Sequence, residues 1–323
     1  MKITLPVLIR QPRRMGDAAA FLLKYDVWLI LLAMIVAASL FTPNFLTSLN
    51  IANLLRQTSI VGILSIGQFL VILSGGFDLS VAAVMALSSV ILASYGGENL
   101  WLAIFAAMAA GLLLGLANGL FISRGRMAPF IVTLAMLGIA RGLAFSVADT
   151  SVMLRNESFE RFSDISLGVL SMPAMVWLLA ALLLQLLVRG TRTGMHISAI
   201  GGREDTARLA GVRVARVKTL VYAASGVLAG LAGVLFVARS GSGMPHVGTG
   251  WELDTIAAVV IGGTDLFGGE GSLPRAMAGV IIYMMIRNVM NLLGMDPYLQ
   301  DMLKAVIILA AVAFGLLRGR LER

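Results

Sequence analysis

The sequence predicts an all-α polytopic membrane protein of about ten transmembrane segments, in two inverted five-helix repeats with broken helices. Composition, loop charge and a repeated motif predict it. Hydrophobic residues make up 59% of the 323 residues and charged residues only 13%, with a mean hydropathy of +0.91. A soluble domain carries about a quarter charged residues, so the chain belongs with proteins whose solvent is lipid. The absence of cysteine excludes disulfides, thiolate metal sites and cysteine catalysis.

Taken in order, residues 1–26 read as a basic N-terminal segment. It does not resemble a cleavable signal, because its basic region is long and the following apolar run ends at Phe41-Thr42-Pro43 without a small-residue cleavage pattern. Apolar runs near 27–42, 58–74, 80–95, 100–122, 129–147, 172–188, 219–239, 252–270, 273–293 and 298–316 are the candidate spans of one transmembrane domain, 27–316, followed by a tail, 317–323. If the N-terminus is inside, the inside segments hold 18 of the 25 Lys and Arg residues. Only Arg56, Arg155 and Arg161 fall in outside loops, so ten spans with both termini in the cytoplasm are expected. The net charge of +8 is therefore topological, and nucleic acid is not expected as a partner.

Two segments are not plain spans. After Ser74 comes Gly75-Gly76-Phe77-Asp78-Leu79-Ser80, and after Gly248-Thr249-Gly250 comes Trp251-Glu252-Leu253-Asp254. The second starts an apolar helix that Gly262-Gly263 stops after 11 residues. That is about 16 Å against a hydrocarbon core of about 30 Å, so 262–272 must continue as irregular backbone buried in protein. The same segments form a repeat: Phe77-Asp78-Leu79-Ser80-Val81-Ala82-Ala83-Val84 matches Trp251-Glu252-Leu253-Asp254-Thr255-Ile256-Ala257-Ala258-Val259 with one insertion. Met127-Ala128-Pro129-Phe130-Ile131 and Met295-Asp296-Pro297-Tyr298-Leu299 form a second pair in the same order. Each motif lies inside in the first half and outside in the second. The halves, about 27–147 and 172–316, are thus expected in opposite orientation, an arrangement common in transporters with a path near the repeat interface.

Gly75, Gly76, Asp78, Ser80, Glu252, Asp254, Gly262 and Gly263 are the candidate pathway or gate residues. Acids at helix starts also serve as plain caps, and both roles stay open for Asp78, Glu252 and Asp254. Arg141 and Arg287 are intramembrane cations that pair with such acids or snorkel. Gly111, Gly115 and Gly119, and more loosely Gly226, Gly230 and Gly233, form small-residue stripes suited to close helix contact. His196 and His246 have no metal-ligand spacing, and no cofactor is expected. No lysine follows a glycine, so the chain has no Walker A motif of its own, and G-x-S-x-G and H-E-x-x-H are missing too.

Residues 189–218 are the longest strongly polar stretch between apolar blocks, with seven basic residues against Glu204 and Asp205. The positive-inside rule places them in the cytoplasm, and Glu204 to Gly211 reads as one short helix. Such a helix suits a partner's groove, though a solvated basic loop would also explain the arginines.

GGFDLSVAAVMAL (75–87), PFIVTLAMLGIARG (129–142), AIGGREDTARLAGVRV (199–214), GTGWELDTIAAVVIGGTDLFGGEGS (248–272) and LLGMDPYLQDMLKAVIILAAV (292–312) together resemble the permease subunit of ribose- and xylose-type ABC sugar importers, over nearly the whole chain. That family also includes galactose, inositol, rhamnose and autoinducer-2 importers. The resemblance implies import of a small polar solute, with no chemistry by this chain. It implies three protein partners besides the lipid bilayer: a cytoplasmic ATP-binding subunit, a periplasmic or extracytoplasmic solute-binding protein, and a second permease subunit. What looks like the family's ATPase-coupling segment falls on Gly201, Gly202, Glu204, Ala207, Arg208, Leu209 and Gly211. Asp205 and Thr206 stand where the family usually has alanine, and Asp265, Pro274 and Arg275 replace mostly small residues. An ion-coupled secondary transporter shares inverted repeats and buried acids, and branched-chain amino acid permeases are the nearest neighbours within the ABC class.

Overall fold

The computed structural model describes residues 17–163 and 165–321, so most of the 1–26 segment and the last two residues of the tail lie outside it. The first half holds α1 (Asp17–Phe41), α2 (Ser48–Leu73), α3 (Val81–Tyr95), α4 (Leu100–Ser123) and α5 (Pro129–Val147). A connection follows with β1 (Val152–Met153), α6 (Glu157–Ser163), β2 (Ser166–Leu167) and β3 (Leu170–Ser171). The second half holds α7 (Met172–Gly190), α8 (Arg192–Gly202), α9 (Glu204–Leu209), α10 (Val214–Ser240), β4 (Ser242–Gly243), α11 (Trp251–Ile261), α12 (Leu273–Leu292) and α13 (Pro297–Leu321). The strands pair antiparallel, β1 with β4 and β2 with β3, and are too short to alter the helical class.

Local chemistry sets the helix starts. Proline sits in the first turn of α5, α7 and α12, where its missing N–H costs nothing. Thr47 caps α2 by accepting the Asn50 N–H, and Asn99 caps α4 by accepting that of Leu102.

A helix lies at each of the expected apolar runs. Among the described residues, however, only α2, α4, α5, α7 and α10 are both long and apolar enough to cross a membrane. α3 has 15 residues and α11 has 11. Three expectations need correcting. α2 begins at Ser48, so Arg56 lies within a helix instead of an outside loop. The 189–218 loop holds α8 as well as α9, because Thr191 caps a turn by accepting the Gly194 N–H. α9 ends at Leu209, before Gly211.

The core is built around α2, buried at every position from Thr58 to Leu73. α10, α7, α11 and α12 pack on it. α10 is the second inner helix and is also covered by α3 and α4. The two glycine stripes meet here, so that a Cβ on Gly111 or Gly115 would collide with backbone at Gly226, and one on Gly119 with backbone at Thr219. Backbones approach this closely only where side chains are absent. α4, α5 and α7 turn wide apolar faces outward, including Phe105, Leu113, Phe130, Leu179 and Leu183.

Alanine substitution should therefore change stability with opposite sign in two places. In Gly115→Ala and Gly226→Ala the collision outweighs the better helix propensity, and stability in detergent should fall by about 1–3 kcal/mol. Gly138→Ala on α5 adds a Cβ with nothing within 4 Å and should hold or raise stability, by up to about 1 kcal/mol. Thermal unfolding midpoints of the three variants read this contrast; equal midpoints would remove the α4–α10 contact as a determinant of the fold.

Candidate functional site

Helix terminations at glycine shape the site. At the end of α2, Gly75 has φ +76° and donates its N–H to the Ile72 carbonyl (2.8 Å), and Gly76 donates to that of Val71 (3.0 Å). At the end of α11, Gly263 has φ +81°, and the N–H groups of Gly263 and Thr264 return to Val260 (2.8 Å) and Val259 (3.3 Å). At the end of α9, Gly211 has φ +85°, and Gly211 and Val212 bond Arg208 (3.1 Å) and Ala207 (3.0 Å). This pattern ends a helix abruptly while satisfying its last carbonyls, and it needs a residue tolerant of positive φ.

Past the first break, Asp78 is 1% exposed. Its Oδ1 accepts the Ser80 N–H (3.0 Å) and hydroxyl (2.6 Å), and its Oδ2 accepts the Ser225 hydroxyl on α10 (2.9 Å). Asn118 of α4 donates to Ser80 Oγ (2.9 Å). The carboxylate thus ties the N-cap residue of α3 to α10, and Asn118 joins α4 to them through Ser80, without the carboxylate reaching the first-turn N–H groups of α3. Tyr222 donates to the Phe77 carbonyl beside it (3.2 Å).

At the start of α11, Glu252 Oε1 accepts the N–H of the cap residue Gly250 (3.2 Å). Asp254 accepts the Tyr283 hydroxyl (2.5 Å) and lies 3.6 Å from Arg287, both on α12. The expected pairing of Arg287 with an acid is therefore present. Arg141 instead donates to the carbonyls of Pro245 (2.6 Å) and Val247 (2.9 Å), holding the irregular approach to α11. Asp78 and the α11 acids are not brought together. Thr133 on α5 meets the Phe77 carbonyl, and Arg141, eight residues on, meets the Val247 carbonyl, a separation of about 12 Å along that helix.

In the 189–218 loop, Glu204 binds Arg208 of its own helix (2.6 Å) and Lys218 of α10 (2.6 Å), which fastens α9 to the bundle. Lys218 is the main cause that holds the Glu204 carboxyl below its usual pKa. Ala207 points inward, and Leu209 is 90% exposed.

The loop and the two breaks meet through backbone. Gly269 donates its N–H to the Leu73 carbonyl (3.0 Å). A Cβ on Gly201 would collide with the Leu73 carbonyl and the Gly269 nitrogen, one on Gly268 would stand 2.7 Å from Gly75, and one on Gly269 would stand 2.6 Å from Gly202. Of the sequence-derived residues, Gly75, Gly201 and Gly202 thus share one junction with the 262–272 segment. Gly262 and Gly263 lie beside α12, where Arg275 donates to the Gly262 carbonyl (3.4 Å) and binds Asp26 of α1 (2.7 Å). Sequence reasoning missed Ser225, Asn118 and Tyr283, which look like single polar residues in apolar helices. It also missed Gln68: among the described residues, both its amide atoms and Ser65 Oγ and Thr264 Oγ1 are buried with no hydrogen-bond partner.

Over residues 50–312 the chain matches the family described as the permease component of branched-chain amino acid transport systems. It is 39% identical over 302 residues to the ribose import permease protein of Escherichia coli K12, covering 91% of this chain and 94% of that protein. The ribose import permease protein of Bacillus subtilis 168 is 40% identical over 294 residues, covering 90% of this chain and 91% of that protein. The L-arabinose transport system permease protein of E. coli K12 is 36% identical over 305 residues, covering 93% and 92%. No solved structure matches.

Two outcomes follow from this geometry. Because the Glu204 pKa is depressed in the fold, its tie to α10 contributes above the unfolded carboxylate value of about 4.3 and is lost as pH falls through the lower folded value. Protection factors of α9 amides should hold from pH 8 to 5 and drop below about pH 4, whereas Glu204→Gln should lack the pH-dependent part throughout. An unchanged profile in the variant would remove the tie. Asp78→Ala leaves Ser80 and Ser225 without their acceptor and should cost about 1–3 kcal/mol in detergent unfolding, with Asp78→Asn milder because it keeps one acceptor oxygen. Equal losses in the two variants would show that the charge, and not the acceptor, matters.

Proposed function

Because the chain belongs to the family of permease components named for branched-chain amino acid transport systems, we propose that it is the membrane-spanning permease subunit of a binding-protein-dependent ABC importer. Its solute is a monosaccharide or a related small polar molecule. Relatives matched over about nine-tenths of both chains bear the names of ribose and arabinose permeases, which favours sugar over amino acid. The chain is a transport protein, not an enzyme, and a cytoplasmic partner hydrolyses the ATP. A solute-binding protein delivers the sugar outside, and a second permease subunit, a copy or a sister chain, completes the path in the inner membrane.

Within the single transmembrane domain, 27–316, the ten apolar helices form two inverted repeats with both termini cytoplasmic. In that scheme α1 to α5 correspond to α7 and α10 to α13. Neighbour relations support it: α3 packs on α4 and α5 as α11 packs on α12 and α13, and α10 packs on α3 and α4 as α2 packs on α11 and α12. The left-handed glycines that follow α2 and α10, Gly75 (φ +76°) and Gly241 (φ +66°), support it too.

The observation that carries the mechanism is the backbone junction of Gly201 and Gly202 with Leu73–Gly75 and Gly268–Gly269. α9, with Leu209 outermost, seats in the ATPase. Closure of two ATPase subunits then moves α8 and α9 as one piece, and the junction delivers the displacement to both breaks at once. Asp78 and Ser80 on one side, and Gly262 and Gly263 on the other, border the opening. Ser65, Gln68 and Thr264 favour a route between α2 and the 262–272 segment, because a polyhydroxylated solute supplies the hydrogen bonds that these buried groups lack. Glu252 and Asp254 border its outer end.

Uptake of labelled ribose and arabinose by cells expressing the complete system tests this proposal. Gly211→Trp and Glu204→Trp should cut uptake more than tenfold with unchanged membrane insertion, since each detaches α9. Normal uptake in both would sink the coupling assignment. Competition by leucine but not by sugars would move the solute to the amino acids. Transport by the reconstituted chain down an ion gradient, without an ATPase, would make it a secondary transporter.

A further inference from the structure

A cleft of about 1260 Å³ lies between the α4–α5 turn and the α9–α10 segment, and its charge is one-sided. Arg124, Arg126, Arg208, Arg213, Arg216 and Lys218 line it against the single carboxylate Glu204. Glu204 is already occupied by Arg208 and Lys218. Among the described residues, the other four arginines form no ion pair with a carboxylate.

The turn that presents two of them is strained. Arg126 has φ +54°, in the left-handed region that a non-glycine residue seldom takes, although Gly125 precedes it. The Met127 N–H closes the turn on the Phe121 carbonyl (3.3 Å), leaving Arg124 and Arg126 exposed. A guanidinium held in a conformation that suits glycine points to a use for its charge.

The rim is apolar. Met127 and Leu220 line the cleft and are about half exposed, as are Phe121 and Phe130 on the adjoining outward faces of α4 and α5. Multiple phosphate-binding donors beside exposed apolar side chains at a membrane surface match a molecule with an anionic head and acyl tails. A soluble anion has no use for the apolar rim, and an acidic protein surface has little.

We propose that this cleft binds the headgroup of an anionic phospholipid of the inner leaflet, with its acyl chains on Phe121, Phe130 and Leu220. The lipid would then brace the turn at the start of α5 against the segment that carries α9. The proposal rests on the cytoplasmic placement of the 189–218 loop above, but not on the identity of the solute.

The test is thermal unfolding of the full-length chain in detergent, titrated separately with phosphatidylglycerol, phosphatidylcholine and inorganic phosphate. Phosphatidylglycerol should raise the midpoint at concentrations at least fivefold lower than phosphatidylcholine, and inorganic phosphate should have no effect. Neutralising Arg124, Arg126, Arg213 and Arg216 to Gln should abolish the preference. Arg126→Gly, which relieves the strained φ and so should fold at least as well, should weaken it severalfold. An equal response to both lipids, a preference retained in both variants, or the same stabilisation by inorganic phosphate would each overturn the proposal. So would the absence of a lipid preference in a chain whose arginine variants no longer co-purify with the ATPase, which would make the cleft a protein contact. No transport is measured, so a wrong solute leaves the result intact.

Discussion

In hydrocarbon, a backbone N–H or C=O without a partner costs several kcal/mol, so a chain may leave its helix only where other protein receives it. The rest of this structure depends on that constraint. α2 and α11 both stop at glycines in the left-handed region, and their last carbonyls are taken up by the N–H groups that follow. The irregular 262–272 segment is received in the same way: the Gly269 N–H is accepted by Leu73, and its glycines pass against Gly75 and Gly202 with no side chain between. The breaks are tolerable because they satisfy each other.

Charge follows the same logic at higher cost. Asp78 sits in the core with three donors converging on it from Ser80 and Ser225, while Asp254 is met by Tyr283 and Arg287 from the neighbouring helix. In both cases the acid ties the start of a short helix to a long one. α3 and α11, too short to span unaided, are thereby fastened to their neighbours by polar contacts as well as by apolar packing. Gln68 and Thr264 are among the described residues with buried polar atoms that no hydrogen bond meets, as are Ser65, Ser171 and Trp177.

The loop that carries α9 is neither loose nor purely electrostatic. Ala207 is buried, Glu204 bridges to α10, and Gly201 touches the backbone of both breaks. The loop is thus fixed to the bundle by a buried small side chain, an ion pair and direct backbone contact. Small residues make that backbone contact close, as the glycine stripes of α4 and α10 do for theirs.

Composition and periodic apolar runs determined the helical membrane class and the place of each long helix, because lipid tolerates few other solutions. Gly75, Gly211 and Gly263 also disclosed their stops in the sequence, since only glycine takes positive φ without penalty. Tertiary structure alone decided what the polar residues meet. Asp78 reads as either a helix cap or a pathway residue, and the sequence does not disclose that Ser225, 147 residues away, donates to it. Gly201 reads as a loop residue until Leu73 and Gly269 close around it. Sequence spacing governs contacts within one helix, three or four residues apart, whereas contacts between helices depend on how faces are turned. That rotation is an outcome of the whole assembly, and no local stretch of residues encodes it.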